Sequence, residues 1–265
     1  MQQIESLALV VRNERLNEQT CVLTLEAPHI AAGARPGQFV NLSCNHFLRR
    51  PLGIMDADPH DGKIKVGIRI MGDGTAWLAE QQAGEQLSIL GPLGHGFEFD
   101  GIERIITVGG GTGVFPLYFV QKWCQNHGID SLAVCGYRSR EESFLTDEYA
   151  ALSCQTLFAS DSGGMDFSGH AGEALENMLN DLKLTSSTAV LTCGPKIMMQ
   201  TVAQIAARCN LPCQVSLEER MACGIGVCLV CACKIKAEAD GQTFTQQRCC
   251  VEGPVFPAEV VEWSI

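Results

Sequence analysis

The sequence is poor in charged and aromatic side chains, and it contains no cluster of basic residues. Charged residues make up 18% of its 265 positions and aromatic residues 6%, with a formal net charge of −11 at pH 7. Affinity for nucleic acids depends on clustered lysine and arginine side chains, so this composition argues against a nucleic-acid partner. The hydrophobic content of 46% is that of an ordinary globular protein.

The sequence also lacks a long apolar segment of the kind that spans a membrane. Its longest uncharged run, Ile105–Gln121, contains four glycines and Pro116, which is typical of a strand, a glycine loop and a helix start. Residues Met1–Val11 lack the basic and then apolar pattern of a secretory signal. We therefore expect a cytoplasmic protein that does not associate with membranes.

Cysteine, by contrast, is abundant, although a chain of this length does not need a disulfide framework. Half of the 14 cysteines lie between Cys213 and Cys250. The others are scattered, mostly through apolar segments, where a reduced cysteine packs as a small hydrophobic residue. Cysteine chemistry is therefore expected in the crowded C-terminal stretch.

The pattern of apolar residues predicts two domains of different class. The first hundred residues contain short apolar or alternating segments separated by Gly and Pro, which favours a small β-barrel or sandwich. From about Gly101 strands alternate with helices, which predicts a doubly wound parallel sheet. We predict an α/β plus all-β protein with domains at 1–100 and 101–212, followed by a cysteine-rich segment at 213–265.

The predicted elements are as follows. In the first domain, strands are expected at Leu7–Arg12, Thr20–Glu26, Gln38–Leu42, Ile64–Ile70 and Gln86–Leu90, with a helix at Ala76–Gln82. Further along, strands are expected at Ile105–Val108, Ser131–Tyr137, Cys154–Ala159, Thr188–Thr192 and Gln214–Leu217. The later helices are expected at Gly113–Gln125, Phe144–Leu152, Gly172–Leu182 and Lys196–Arg208.

The strongest chemical signal is a motif in which Cys223, Cys228 and Cys231 are followed by Cys250. The gaps of four and two residues match the spacing of plant-type ferredoxins, which hold a [2Fe–2S] cluster. Glycines within this loop let the backbone approach the cluster sulfides. A zinc site favours paired short spacings and tolerates histidine, so zinc is the weaker alternative, as is a redox disulfide.

Two further cysteines leave the ligand set open. Cys233 lies two residues beyond Cys231, so in a strand both side chains would face the same side. Cys249 lies directly beside Cys250. Spacing favours Cys231 over Cys233, but the residues alone do not decide between Cys249 and Cys250.

Two segments of the second domain predict contacts to a dinucleotide. In Gly109–Pro116, between a predicted strand and a predicted helix, glycines allow a pyrophosphate to approach and the helix N-terminus supplies N–H donors. Thr192–Pro195 closes a parallel strand, where ligands of such sheets bind. An ordinary strand–helix turn is the alternative for each. The candidate residues are Gly110, Gly111, Thr112, Gly113, Gly194 and Pro195.

The first domain contains two segments that could bind a diphosphate. An arginine in Arg49–Ile54 can hold a diphosphate through two hydrogen bonds. The turn Gly72–Thr75 can add N–H and hydroxyl donors. Taken alone, a surface arginine and a hairpin glycine would be the simpler interpretation.

Taken in order, these motifs resemble the ferredoxin–NADP reductase superfamily, and within it the electron-transfer subunits of type B dihydroorotate dehydrogenases. The resemblance covers nearly the whole chain, and its most specific stretches are Ser216–Gly226 and Gly253–Phe256. It implies a flavin-binding β-barrel, an NAD-binding α/β domain and a C-terminal cluster loop. The implied cofactors are FAD and a [2Fe–2S] cluster, with NAD(H) as cosubstrate.

The resemblance also implies roles for individual residues. Cys250 would be the fourth cluster ligand, and Cys249 would take the place of an apolar residue. We expect Cys193 to border the nicotinamide, with a merely packed thiol as the alternative. The implied metal ligands are Cys223, Cys228, Cys231 and Cys250. The implied FAD contacts are Arg50, Pro51, Leu52, Gly53, Gly67, Ile68, Arg69, Gly74 and Thr75.

Three positions depart from the family pattern. Gly53 stands where the family commonly has serine or threonine, which removes a hydroxyl near the flavin. Phe115 replaces the alanine of the usual Ile-Gly-Val-Ala-Pro segment, whose isoleucine is also changed. The turn Ser160–Gly163 replaces an acidic Asp-Asp-Gly-Ser turn. These changes concern the identity of the natural substrate and its partner system, and they leave the expected cofactors the same.

The implied activity is electron transfer by a subunit of an NAD(H)-linked oxidoreductase. NADH would reduce FAD by hydride transfer, and single electrons would leave through the cluster. The implied partner is a catalytic dihydroorotate dehydrogenase chain with FMN, two of each chain forming a heterotetramer in pyrimidine biosynthesis. We expect it to dock at Ala222–Val230 and Gly253–Phe256.

Three functional questions stay open. Related reductases serve ferredoxin–NADP, sulfide or hydrogenase chemistry, although one has aspartate where this chain has Cys223. From a different class, the chain could be a non-catalytic zinc adaptor. NADH is expected over NADPH from the resemblance, since Arg138 and Arg140 would attract a 2′-phosphate while Glu141 and Glu142 would repel it.

Overall fold

Six antiparallel strands close into a barrel in the computed structural model, which describes residues 4–152, 154–237 and 243–263. The strands are β1 (Ile4–Arg15), β2 (Thr20–Glu26), β3 (Phe39–Leu42), β4 (Arg50–Asp58), β5 (Lys63–Arg69) and β6 (Gln86–Leu93). Their order around the barrel is β1-β2-β5-β4-β3-β6. Two short helices accompany them, α1 (Pro28–Ala31) and α2 (Asp73–Ala79).

The predicted barrel strands are confirmed, whereas α1 and β4 were not predicted and α2 begins three residues earlier than predicted. Side chains along β6 alternate strictly between buried and more exposed positions, as expected for a strand with one face on a core. In β4 only Ile54, Met55 and Asp56 are buried, whereas Arg50–Gly53 are partly exposed. A strand that lines a pocket lacks the apolar pattern by which strands are recognised.

The second domain is a seven-stranded sheet covered by helices. Its strands are β7 (Arg104–Gly110), β8 (Asp130–Tyr137), β9 (Gln155–Ser160), β10 (Phe167–Ser168), β11 (Thr188–Cys193), β12 (Cys213–Ser216) and β15 (Val255–Pro257). A separate hairpin contains β13 (Ala232–Lys236) and β14 (Phe244–Arg248). The helices are α3 (Val114–His127), α4 (Thr146–Ala150), α5 (Ala171–Asn180) and α6 (Lys196–Arg208), with 3₁₀ turns at Gly111–Gly113 and Ala258–Val260.

The sheet has the order β10-β9-β8-β7-β11-β12-β15, with every pair parallel except β12 and β15. The strands β7 and β11 are almost entirely buried, as expected for central strands covered on both faces. The short β10, β13, β14 and β15 were not predicted. Both β12 and β15 belong to this sheet although they lie in the segment 213–265, and the boundaries of that segment stay a prediction.

Helix α3 joins the two domains. Its apolar residues pack against the sheet, while Lys122 binds Asp56 of β4 through both carboxylate oxygens at 2.7 and 2.8 Å. Asp56 is buried, so this ion pair ties the barrel to the α/β domain where water has little access. The predicted α/β plus all-β fold is confirmed. Within the described ranges, no helix is long and apolar enough to cross a bilayer.

Candidate functional site

A cavity of about 940 Å³ lies at the carboxyl ends of the parallel strands. The chain order of the strands reverses between β7 and β11, and ligands of open α/β sheets bind at such a reversal. The predicted residues Gly110, Gly111, Thr112 and Pro195 line this cavity. The cavity is therefore the candidate nicotinamide-nucleotide site.

The glycine loop is fixed by contacts that exclude side chains. A Cβ atom at Gly113 would lie 2.1 Å from the carbonyl oxygen of Cys193. Gly111 adopts φ +52°, and Gly194 adopts φ +147°, a conformation that strongly favours glycine. The ends of β7 and β11 thus approach each other closely, as the two predicted nucleotide segments require.

The charged side chains that line this larger cavity are predominantly acidic. Two arginines line it, and Arg69 lies 3.8 Å from Glu142. His170 makes a 2.9 Å contact with Asp161. Among the described residues, Arg140 does not line the cavity, whereas Arg138 does. The acidic side chains in the lining are Glu18, Glu141, Glu142, Asp161 and Glu173.

A second cavity of about 320 Å³ lies between the barrel and the α/β domain. Arg69 and Thr112 line both cavities, so the two cavities adjoin. Cys193 also lines the smaller one. Of the predicted FAD contacts, Pro51, Leu52, Gly53, Gly67 and Arg69 line this smaller cavity. It is therefore the candidate flavin site, with Cys193 on its wall.

The other predicted FAD contacts differ in which of their groups are available to bind a cofactor. The guanidinium of Arg50 packs against Gly74, where a Cβ atom would lie 2.3 Å from Nη2. Thr75 Oγ1 accepts a hydrogen bond from the Met71 N–H at 2.9 Å, so this hydroxyl already shapes the start of α2. The Ile68 side chain packs in the barrel core, which leaves only its backbone for a cofactor.

Close contact between Phe115 and Gly67 is a feature that the sequence analysis missed. A Cβ atom at Gly67 would lie 2.1 Å from the Phe115 ring, which stacks on Phe144 with a centroid separation of 4.6 Å. Both Gly67 and Phe115 line the smaller cavity. The bulky residue at the family's alanine position is therefore accommodated by a neighbouring glycine.

Glu218 is a second residue that the sequence analysis did not select. It lines the smaller cavity together with Ser216 and Cys193. Burial raises the pKa of the Glu218 carboxyl. Burial also raises the pKa of Cys193, and the nearby charge of Glu218 adds to that effect. A carboxyl whose pKa is raised and that lines a pocket is a signal available only from the structure.

The four predicted cluster ligands lie in two pairs. The Cys223 N–H donates to the Cys228 sulfur at 3.5 Å, and the Cys228 N–H donates to the Cys223 sulfur at 3.4 Å. Burial and then the neighbouring Cys231 thiol raise the pKa of Cys250, and the Cys249 N–H donates to the Cys231 carbonyl at 2.9 Å, so the second two thiols also lie close together. Burial opposes ionisation of Cys223, but backbone N–H donors, first that of Ile225, outweigh it and lower its pKa to about 6. A thiol with a lowered pKa readily forms the thiolate that a metal requires.

The two additional cysteines of this region are engaged elsewhere. The Cys233 thiol donates to the Gln247 carbonyl at 3.3 Å, within the β13–β14 hairpin. The Cys249 thiol donates to the Leu217 carbonyl at 3.3 Å. Burial raises the pKa of both thiols, that of Cys233 to about 11. Their contacts favour a structural role for both.

Two thiol pairs suit a binuclear cluster better than a single metal ion. In a [2Fe–2S] cluster four cysteines are shared between two irons, whereas structural zinc gathers four ligands around one point. The arrangement of Cys223 with Cys228 and of Cys231 with Cys250 therefore fits the cluster.

A barrel residue supports the cluster loop. Asn41 of β3 is fully buried, and its Nδ2 donates to the Cys223 carbonyl at 3.2 Å. A Cβ atom at Gly224 would lie 2.6 Å from the same Nδ2, and Gly224 adopts φ +70°. The loop thus rests directly on the barrel strand that leads towards the candidate flavin site.

Of the two segments predicted to form the docking face, only the one in the cluster loop is exposed. Val227, Leu229 and Val230 are 75%, 61% and 54% exposed. Gly253–Phe256, in contrast, is buried, so its assignment to the docking face is wrong. The reason is that β15 pairs with β12 and that the Leu217 N–H donates to the Pro254 carbonyl at 2.8 Å.

The fold and these sites define a class of protein, a flavin- and nicotinamide-linked reductase with an iron–sulfur segment. The structure of an NADH-dependent reduced ferredoxin–NADP oxidoreductase is similar, with TM-score 0.86 and 28% identity over 97% of this chain and 90% of that one. A ferredoxin NADP⁺ reductase from Neisseria gonorrhoeae shares the fold, with TM-score 0.66 and 19% identity over 77% of this chain and 91% of that one.

Sequence comparison identifies the family. The model of the iron–sulfur cluster binding domain of dihydroorotate dehydrogenase B matches residues 218–262. The electron transfer subunit of dihydroorotate dehydrogenase B (NAD(+)) from Desulforamulus reducens is 34% identical over 250 residues, 92% of this chain and 93% of that protein. Its counterpart from Enterococcus faecalis V583 is 34% identical over 267 residues, 98% of this chain and 99% of that protein.

The chain therefore belongs to the family of electron transfer subunits of dihydroorotate dehydrogenase B. Its membership and fold confirm FAD, a [2Fe–2S] cluster and NAD(H) as the cofactors and cosubstrate. They also confirm an oxidoreductase subunit that works with a catalytic partner chain. The individual contact residues and ligands stay predictions.

Proposed function

We propose that this chain carries electrons between NAD(H) and a catalytic chain that oxidises dihydroorotate to orotate in pyrimidine biosynthesis. The observation that carries the proposal is the pairing of Cys223 with Cys228 in a loop that exposes apolar side chains, with Cys231 and Cys250 close together beside that loop. The partner would contain FMN, and two of each chain would form a heterotetramer. A cytoplasmic location stays a prediction.

The chain's own residues would bind and position the cofactors. Arg50, packed on Gly74, would hold the FAD diphosphate, because a guanidinium binds phosphate through two hydrogen bonds. When bound, FAD accepts a hydride and releases electrons singly, and a [2Fe–2S] cluster carries them one at a time. The predicted cluster ligands are Cys223 and Cys228 as one pair, with Cys231 and Cys250 as the other.

Two residues of the smaller cavity would assist from its wall. Cys193 is buried and would exclude water from the space where nicotinamide and flavin meet. Glu218 lines the same cavity, so its carboxyl would lie close to the flavin. Arg69 and Thr112, which line both cavities, would position the two cofactors relative to each other.

The larger cavity favours NADH over NADPH. NADPH differs by a 2′-phosphate, which the acidic lining would repel. Of the two lining arginines, Arg69 is near Glu142, so Arg138 is the principal cation left for a phosphate. Flavin reduction measured with both nucleotides tests this preference, and faster reduction by NADPH at equal concentration would contradict it.

The cluster loop would be the docking face. Val227, Leu229 and Val230 place apolar surface beside the thiols, and exposed apolar patches often mark protein interfaces. A cluster must lie near the surface if its electron is to reach another chain. The face is now restricted to Ala222–Val230, since Gly253–Phe256 is buried.

Coexpression with the catalytic chain tests the proposed function. We expect a complex with two of each chain that reduces NAD⁺ with dihydroorotate. Val227→Asp should preserve the iron and flavin content of this chain while weakening the complex and its NAD-linked activity. Leu7→Asp is the matched control, because Leu7 is equally exposed but lies on the barrel. Failure to form a complex, with a catalytic chain fully active towards NAD⁺ alone, would favour the ferredoxin-linked alternative.

A further inference from the structure

An arginine outside the predicted ligand set lies between the two segments that carry the cluster thiols. Arg248 is the last residue of β14 and pairs with Ala232 of β13, the neighbour of Cys231. Cys250 follows two residues later, and the Cys249 N–H donates to the Cys231 carbonyl at 2.9 Å. Arg248 is therefore flanked by one complete thiol pair.

The guanidinium of Arg248 is fixed to the cluster loop. Its Nη1 donates to the Gly226 carbonyl at 3.0 Å. A Cβ atom at Gly226 would lie 3.1 Å from that Nη1 and 2.6 Å from Val251, and Gly226 adopts φ +84°. Val251 directly follows Cys250, so this one glycine packs against both the guanidinium and the neighbour of the predicted fourth ligand.

Glu252 holds Arg248 on its other side. Both Glu252 carboxylate oxygens accept from Arg248 Nε at 3.1 Å, and Oε2 also accepts from the Arg248 backbone N–H at 2.6 Å. These contacts join a guanidinium to a carboxylate, so Arg248 and Glu252 form an ion pair. The pair places one positive and one negative charge beside the thiols.

We propose that the Arg248–Glu252 pair positions the cluster loop and balances the charge beside the cluster, so that the reduction potential of the cluster depends on both partners being present, an inference that rests on the proposed cluster ligands. One electron added to the cluster increases its negative charge by one unit. A nearby cation therefore favours the reduced form and a nearby anion disfavours it. In the intact pair the two effects oppose each other, so removing one partner exposes the charge of the other.

The charge variants should shift the potential in opposite directions. Arg248→Gln leaves Glu252 uncompensated, which should lower the midpoint potential. Glu252→Gln leaves Arg248 uncompensated and keeps its bond to Gly226, which should raise it. The double variant should return close to the unchanged protein. All shifts should shrink as salt is added, because both side chains are partly exposed.

The experiment is a redox titration of the full chain, followed by the electron paramagnetic resonance signal of the reduced cluster. Iron and acid-labile sulfide are measured on each sample. Arg208→Gln is the matched control, since Arg208 forms an ion pair with Glu176 that includes no loop contact. Its midpoint potential should not change. Arg248→Lys keeps the charge but not the paired hydrogen bonds. It should therefore lower the iron content of the protein while changing the midpoint potential little.

The outcomes separate this inference from the proposed function. Unchanged potentials in both single variants at full iron content, or shifts in the same direction, would overturn the inference alone. A lower potential in Arg248→Gln with a higher one in Glu252→Gln would support it. If Arg248→Gln loses its iron, Glu252→Gln still decides, and a potential that does not rise overturns the inference. An unaltered protein without iron and sulfide would instead overturn the proposed cluster.

Discussion

The pockets and the cluster loop hold their functional residues by different means. In the pockets, most site residues lie in strands or at their ends and are fixed by close packing, such as Gly113 against Cys193 and Gly67 against Phe115. The cluster loop has no helix or strand between Met221 and Val230. It is held mainly by N–H bonds to sulfur and by Asn41 and Arg248.

This difference implies different dependence on the cofactors. A pocket formed by buried strands retains its shape when the ligand is absent, because the core around it supplies the stability. A loop held by a few bonds gains much of its order from the metal, since metal binding and local folding are coupled. Four predictions follow from this contrast, in order of decreasing effect.

The largest effect is expected at the fourth ligand. Cys250→Ser should lose the cluster, with iron content falling several-fold, because the serine hydroxyl is a much weaker iron ligand than a thiolate. FAD content and the melting of the α/β domain should change little. Iron, sulfide and flavin analysis of the purified protein measures all three.

Cys249→Ser and Cys233→Ser are the matched controls, since both thiols bond to backbone carbonyls. Both variants should retain the cluster. Loss of the cluster in Cys249→Ser together with its retention in Cys250→Ser would show that the ligand assignment is displaced by one residue.

The opposite experiment disturbs the flavin pocket and leaves the loop intact. Gly67→Ala would place its Cβ atom 2.1 Å from the Phe115 ring. Overpacking of this kind costs about 1–3 kcal/mol. We expect lower FAD content and reduced stability with normal iron content.

Gly72→Ala is the control for this variant, because a Cβ atom there meets nothing within 4 Å. Its stability should lie within about 0.5 kcal/mol of the unchanged protein. Equal flavin loss in both variants would show that the contact between Gly67 and Phe115 does not shape the pocket. Denaturant unfolding and bound-flavin absorbance measure the two effects.

A third test concerns the link between the domains. Lys122→Met would leave Asp56 buried without its partner, at a cost of about 1–3 kcal/mol in the free energy of unfolding. Lys63→Met is the control, since Lys63 binds the exposed Asp61, and surface ion pairs contribute less than about 1 kcal/mol. If both variants lose the same free energy of unfolding, the ion pair between Lys122 and Asp56 does not stabilise the contact between the barrel and the sheet.

The smallest effect is expected at the nucleotide cavity. Glu142→Gln removes one acidic side chain and frees Arg69 for a phosphate. We expect the preference for NADH over NADPH to fall about threefold, since a partly exposed charge contributes up to ~1 kcal/mol. The ratio of kcat/KM for flavin reduction measures it. Glu80→Gln is the control, because Glu80 lies outside the cavity, and it should leave this ratio unchanged. A stronger preference for NADH over NADPH in Glu142→Gln would contradict the electrostatic argument.

The sequence by itself determined the order of elements and the local motifs. The β-rich first domain, the alternating second domain and helix α6 at Lys196–Arg208 follow from short-range patterns that the structure confirms. The spacing of Cys223, Cys228 and Cys231 likewise depends only on neighbours along the chain. Local patterns suffice where the chemistry is contained within one turn, strand or loop.

Only the tertiary structure distinguished residues whose roles depend on distant segments. It gave Cys249 a partner in Leu217 and Cys250 a partner in Cys231, a distinction that adjacent positions in the sequence could not make. It placed Glu218 in the lining of the flavin cavity and removed Gly253–Phe256 from the surface by pairing β15 with β12. The reason is physical: burial, hydrogen-bond partners and nearby charges arise from segments far apart in the chain, and these contacts form only when the chain folds.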